Sequence, residues 1–148
     1  MPTTTRLLKI APALISVAWL ISLCLPALRL SNGEVWFGYN LLLMGWLGIV
    51  SFTLAWYANP LIATISLWWP RVTAETRLNL SLFIPLLSST TYVVTYLGGI
   101  PFDDGRHPIE RFMVGYYLWQ VTCVAPLALA VWCLYDAKRT EEDVHRAL

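Results

Sequence analysis

Four uncharged, largely apolar blocks alternate with short polar links along the chain. Each block is long enough for a membrane-crossing helix, because about 20 apolar residues span the hydrocarbon core of a bilayer. The pattern therefore predicts an all-α membrane protein, a bundle of four spanning helices in a single transmembrane domain over residues 1–148. The predicted spans are approximately residues 10–28, 41–69, 78–97 and 113–135.

The second block, residues 41–69, is longer than a straight span requires. As a helix it would measure about 44 Å, against about 30 Å of hydrocarbon. The pair Asn59–Pro60 lies within it, and a proline inside a helix removes one backbone hydrogen bond. We expect one long helix that is kinked at this pair. The alternative is that residues 60–69 form a separate segment lying in the membrane.

Small residues predict where the helices approach each other most closely. Four small or polar residues of the second block recur at helical spacing, which places them on one stripe. They are Gly45, Gly48, Ala55 and Asn59. Membrane helices pack closely along such stripes. We therefore predict that the second and fourth helices pack together at Gly45, Gly48 and Gly115.

The polar side chains at membrane depth that we single out are amides and hydroxyls: Asn59, Ser88, Thr91, Thr95 and Gln120. Such groups join membrane helices through hydrogen bonds worth about 1 kcal/mol or less each, and this is the interpretation we favour. A path for a substrate or an ion is the alternative. The predicted spans contain no acidic or basic side chain, whereas an ion pump normally needs one at membrane depth.

The link between the third and fourth blocks contains a cluster of reactive side chains, Asp103, Asp104, Arg106 and His107. Carboxylates and an imidazole could hold a cation or act as acid and base. However, Asp-Gly after Pro-Phe is also an ordinary turn. We interpret the cluster as a solvated turn. The alternatives are an outward loop that recognises a partner and a surface site of a membrane enzyme.

Charge distribution predicts the orientation of the chain and excludes one class of partner. Seven of the ten Lys and Arg residues fall on the side of the two termini, and three fall on the other side. The positive-inside rule therefore predicts cytoplasmic termini. A net charge of +1 without a basic stripe argues against a nucleic-acid partner. The three cysteines form neither a disulfide pattern nor a metal motif, so we predict no metal and no cofactor.

Three phrases of the sequence resemble a group of small bacterial inner-membrane proteins with four predicted spans and no assigned activity. The phrases are GWLG at residues 45–48, AWYANP at residues 55–60 and GYYLW at residues 115–119. The resemblance covers about the second helix and the start of the fourth. It implies a bacterial inner membrane and four spans, and it implies no function.

These observations predict a non-enzymatic interaction protein of the inner (cytoplasmic) membrane that acts through helix–helix contacts. It would be an accessory subunit, a regulator or an immunity-type protein. Besides the lipid bilayer, its partner would be a second copy or a larger membrane protein. The alternative is an oligomeric pore or small-solute transporter lined by the amide and hydroxyl side chains. A third hypothesis is a membrane enzyme that uses Asp103, Asp104 and His107.

Overall fold

A computed structural model of the chain describes residues 2–47, 54–102 and 105–147. Most of these residues are helical, and short strands lie between the helices. In chain order the elements are α1 (Pro2–Cys24), β1 (Pro26–Leu30), β2 (Val35–Phe37), α2 (Gly38–Met44), a 3-10 turn (Ala55–Tyr57), α3 (Ala58–Trp68), α4 (Ala74–Ser89), α5 (Thr91–Tyr96), β3 (Ile100–Phe102), β4 (Gly105–His107), β5 (Ile109–Phe112) and α6 (Val114–Ala147).

The long helix α6 packs mainly against α1 and α4, and α3 packs against α4 and α1. The buried core between these helices is made of small and aliphatic residues together with one tryptophan. Its members are Ala58, Ile62, Ile65, Trp69, Ile84, Cys123, Leu129 and Ala130. Among the described residues, two helical stretches are long and apolar enough to cross a membrane, by length and composition: Ala74–Tyr96 and Val114–Asp143. The apolar part of α1, Ile10–Cys24, is shorter.

The helices carry their large apolar side chains on the outside and several polar ones inside. In α4, Ser81 and Ser88 are 0% and 2% exposed, whereas Leu82 and Phe83 are 55% and 53% exposed. In α6, Thr122 is buried and its neighbour Val121 is exposed. A soluble protein rarely exposes such a continuous apolar surface. The outer surface of the helices is therefore suited to hydrocarbon.

The predicted helical fold is confirmed for most of the described residues, but the prediction that it is all-α is wrong for two of the links, which form strands. Strand β1 pairs antiparallel with both β2 and β5, which gives a three-stranded sheet in the order β2-β1-β5. Strands β3 and β4 form a separate antiparallel hairpin. Backbone groups in links need hydrogen-bond partners as much as those in helices do. The two links that meet at this end of the bundle, here called the sheet end, provide partners for each other.

The prediction of one long kinked second helix is also wrong. Helix α2 ends at Met44, and α3 begins at Ala58 after the 3-10 turn. Pro60 is the third residue of α3, and residues in the first turn of a helix have no intrahelical acceptor for their N–H groups. Pro60 therefore lies where a proline starts a helix instead of bending one. Gly48 lies outside the described residues. The number of spans stays a prediction.

Two adjacent glycines follow α5, and both adopt a left-handed backbone. Only the second of them lies against the backbone of β4. Gly98 and Gly99 have φ angles of +89° and +104°. A Cβ on Gly99 would collide with the carbonyl group of His107, whereas a Cβ on Gly98 meets nothing within 4 Å. A left-handed backbone costs an L-residue about 1–2 kcal/mol.

We therefore expect Gly98→Ala to lower the free energy of unfolding by about 1 kcal/mol, the cost of the backbone conformation alone. Gly99→Ala should lower it by about 2 kcal/mol, because steric overlap adds to that cost. Circular dichroism during unfolding in mixed detergent micelles measures both losses. Equal losses in the two variants would contradict the close approach of Gly99 to β4.

Candidate functional site

One buried amide joins three parts of the fold. The Oδ1 atom of Asn59, at the start of α3, accepts hydrogen bonds from the indole Nε1 of Trp19 in α1 and of Trp119 in α6, both at 2.9 Å. Its Nδ2 atom donates to the carbonyl of Trp56 in the 3-10 turn at 3.0 Å. A carbonyl oxygen has two lone pairs, so this one is fully used. We call Asn59, Trp19 and Trp119 the Asn59 clamp.

The partners of Asn59 were not anticipated from the sequence. No sequence pattern pairs Trp19 or Trp119 with Asn59, yet an indole N–H inside a fold usually requires an acceptor. Side-chain acceptors are scarce in apolar blocks, and Asn59 and Gln120 are the strongest of them. That scarcity is the signal that could have linked the tryptophans to Asn59.

A second polar network connects α4 with α6. The hydroxyl of Ser88 lies 3.1 Å from Oε1 of Gln120 and 3.0 Å from the carbonyl of Pro85, two acceptors that share its proton. Nε2 of Gln120 donates to the Tyr116 hydroxyl at 2.7 Å. Thr91 donates to the carbonyl of Ser88 at 2.9 Å. Ser88, Thr91 and Gln120 therefore lie close together in the structure.

The other two members of the predicted polar set, Thr95 and Asn59, lie apart from this network. Thr95 in α5 is exposed on the outside of the fold. Asn59 belongs to the Asn59 clamp, which meets α6 at Trp119, one residue before Gln120. The predicted polar residues thus form two interior clusters and one outward-facing position.

The glycines make close contacts, but these are not the predicted ones between the second and fourth helices. A Cβ on Gly115 would meet the backbone oxygens of Leu25 and Pro26 at 2.7 and 2.8 Å, so Gly115 allows α6 to approach the end of α1 and β1. A Cβ on Gly45 would meet the side chain of Trp56 at 2.5 Å. Ala55 is buried in the 3-10 turn. The second and fourth predicted helices instead meet through the Asn59 clamp, because long polar and aromatic side chains bridge them there.

A cavity of about 570 Å³, here called the chamber, lies between the Asn59 clamp and the sheet end. Its walls come from the end of α1, strands β1 and β2, helix α2, the 3-10 turn, α5 and the start of α6. The lining is mainly apolar and includes three indoles. Representative lining residues are Trp36, Leu41, Trp56, Val94, Ile109 and Trp119.

The polar side chains that border the chamber are engaged within the chain. Ser22 donates to the carbonyl of Trp19 at 2.6 Å, and Thr91 donates to that of Ser88. Both amide atoms of Asn59 have the partners described above. The chamber therefore presents a largely apolar surface with few polar groups left to satisfy.

Helix α2 is the wall of the chamber that is held least firmly. It has no buried residue. Nε1 of Trp56 donates to the carbonyl of Leu42 at 2.6 Å, and the side chain of Asn40 accepts from the N–H of Phe37 at 3.0 Å. On the side away from the chamber, Leu43 is 67% exposed. Met44 lines the chamber and is 57% exposed, so the chamber reaches the outer surface beside this helix.

Of the outer-loop residues predicted to recognise a partner, the two that the structure describes, Arg106 and His107, make contacts within the β3–β4 hairpin. Arg106 in β4 donates to the carbonyl of Gly99 at 3.1 Å, and His107 pairs with Ile100 in the β3–β4 register. Asp103 and Asp104 lie outside the described residues. Within the part of the chain that the structure describes, no group of three His, Cys, Asp or Glu side chains is arranged for a metal ion.

We compared the chain with family models, with curated proteins and with solved structures, and none matches. The resemblance to the small four-span proteins therefore stays a prediction, and function has to be argued from the geometry of the Asn59 clamp, the second polar network and the chamber.

Proposed function

We propose that the chain is a multi-pass protein of the bacterial inner membrane with four spans and cytoplasmic termini. The exposed apolar surface and the buried hydroxyls support its placement in a bilayer. Helix α1 runs into β1 and β5 runs into α6, so both termini lie at the end of the bundle opposite the sheet end. Arg77 lies towards that same end, beside Cys133 and Ala137 of α6, which agrees with the positive-inside rule.

In this membrane the chain acts as a non-enzymatic interaction protein, an accessory subunit, a regulator or an immunity-type protein. The observation that carries the proposal is the use of the interior polar groups. The amide of Asn59 and the hydroxyl of Ser88 bond to side chains of α1 and α6. Groups used in this way hold helices together and are not free to attack a substrate. The surfaces open to a partner are the apolar outer faces of the helices, such as Leu82, Phe83 and Leu86 of α4.

The alternative, a pore or small-solute transporter, has less support. A water path needs polar groups that face one continuous space. Of the five predicted lining residues, Asn59 and Thr91 border the chamber, and Thr95 lies on the outer surface. Ser88 and Gln120 bond to each other. An oligomer would have to bring outward positions such as Thr95 together to form a channel.

The mass of the intact assembly tests the interaction proposal. We expect the full chain, purified in mild detergent, to have a native mass greater than that of one copy, either as an oligomer or with a stoichiometric partner. A monomer without a partner would contradict the proposal. In planar bilayers we expect no steady current. A current that Thr91→Trp abolishes, while the outward-facing control Tyr92→Trp leaves it intact, would favour the pore instead.

A further inference from the structure

We infer that the chamber binds one hydrocarbon chain of a membrane lipid, which reaches it from the bilayer past α2. This inference rests on the proposed membrane placement and extends it by naming a ligand class. It depends on the size of the chamber, the chemistry of its lining and the position of its weakest wall.

The size of the chamber matches one lipid chain. Pockets that hold small ligands commonly measure about 300–1,000 Å³. A methylene group takes about the space of a water molecule, about 30 Å³, so about 570 Å³ accommodates at most roughly 19 carbon atoms. A partner helix does not fit, because two turns of a helix 10 Å across require about 850 Å³.

The lining selects for hydrocarbon over water. A buried water molecule needs two to four polar partners. The side chains of Ser22, Asn59 and Thr91 already have partners within the chain. The indoles of Trp36, Trp56 and Trp119 provide broad apolar surface instead. An alkyl chain fills such a space without leaving any polar group of its own unsatisfied.

The position of α2 identifies the bilayer as the source of the ligand. Leu41 lines the chamber, whereas Leu43, two residues further along the same helix, points away from it and is 67% exposed. Met44, at the end of the same helix, lines the chamber and is also 57% exposed, and the helix has no buried residue. A lipid chain outside the protein can therefore reach the chamber beside α2, where lining residues such as Met44 and Leu47 are exposed. At the sheet end, by contrast, β1 lines the chamber with buried residues, Ala27 and Leu28, each 2% exposed.

Photolabelling in a bilayer tests the inference. The full chain is reconstituted into phosphatidylcholine vesicles containing a phosphatidylcholine with a diazirine on one palmitoyl chain. After irradiation, peptide mass spectrometry locates the adducts. We expect label on Leu28 and Tyr116, which line the chamber and are 2% and 4% exposed. Lipid at the outer surface does not reach these residues. Label confined to outward residues such as Leu43 would overturn the inference.

Two pairs of variants test whether the label comes from the chamber, and each pair contains one variant inside the chamber and one control outside it. We expect Leu41→Trp to reduce the chamber label about tenfold, equivalent to about 1.4 kcal/mol of binding free energy, because the indole occupies the space of the chain. Leu43→Trp, on the outer side of α2, should leave it unchanged. If Leu41→Trp does not yield a monodisperse protein, Val94→Phe replaces it, with the exposed Val93→Phe as its control. Equal labelling in the two members of a pair would also overturn the inference.

The lipid site, tested by labelling, and the interaction proposal, tested by the assembly mass, can fail independently of each other. Label is measured within a single chain and requires no protein partner. Absence of chamber label together with an assembly heavier than one copy would remove the lipid site and leave the interaction proposal. Chamber label in a chain that stays monomeric would do the reverse. A protein that cannot be reconstituted as an integral component of the vesicles would remove both.

Discussion

Replacing Asn59 by leucine is expected to lower the free energy of unfolding by about 3 kcal/mol, the largest loss that we predict. The substitution keeps the branched arrangement of heavy atoms but removes the acceptor for Trp19 and Trp119. Each buried donor that loses its partner costs about 1–3 kcal/mol. An interhelical hydrogen bond in a membrane is worth about 1 kcal/mol or less, but an indole N–H left buried without an acceptor costs more, roughly 1.5 kcal/mol for each indole.

Unfolding in mixed detergent micelles, followed by circular dichroism, measures this loss. The matched control is Asn79→Leu, the same substitution at an exposed position of α4, and we expect it to change stability by less than about 0.5 kcal/mol. Trp19→Phe and Trp119→Phe each remove one donor. Their effects should be smaller in the Asn59→Leu background than in the unmodified chain, because the interaction is already lost. Additive effects would show that Asn59 is not the shared acceptor.

Adding a methyl group at Gly115 is expected to destabilise the protein by about 2 kcal/mol, although alanine is the better helix former. Helix propensity alone favours Gly115→Ala by about 1 kcal/mol at most. Against this, the new Cβ would lie 2.7 Å from the oxygen of Leu25 and 2.8 Å from that of Pro26. Both are backbone atoms, so they cannot rotate away as a side chain can, and overpacking of this kind costs about 1–3 kcal/mol or more.

The steric cost therefore exceeds the gain in propensity. Gly115→Leu should be at least as destabilising as Gly115→Ala. Val114→Ala provides the control, because Val114 precedes Gly115 in α6 and is exposed. Thermal unfolding of the purified proteins in detergent gives the order of stability. A Gly115→Ala protein more stable than the unmodified chain would mean that α6 does not approach β1 as closely as described.

Several properties of this protein follow from patterns that are local in sequence. Uncharged blocks predict apolar helices, and two helical stretches, Ala74–Tyr96 and Val114–Asp143, have the length and composition that a membrane requires. Ser81 and Ser88 are seven residues apart, which places them on one face of α4, and both are buried. Such inferences succeed because the solvation of a side chain and the period of a helix depend on neighbouring residues.

Other features depend on contacts between distant residues, and these were the ones that the sequence did not predict. Strand β1 pairs with β5, whose residues lie about eighty positions further along the chain, and no periodicity within either link specifies that partner. The second block reads as one helix, yet α2 ends at Met44 and a 3-10 turn, Ala55–Tyr57, comes directly before α3. Helix propensity is a weak prior that tertiary contacts readily override.

By itself, the sequence determined which segments avoid water and which helix positions carry small or polar side chains, because transfer free energy is a property of each residue. The tertiary structure alone decided that Asn59 receives the indoles of α1 and α6, that Gly115 lies against β1, and that a chamber remains beneath the sheet. Each of these depends on where separate helices come to lie, and a hydrogen bond or a steric contact extends only a few ångströms.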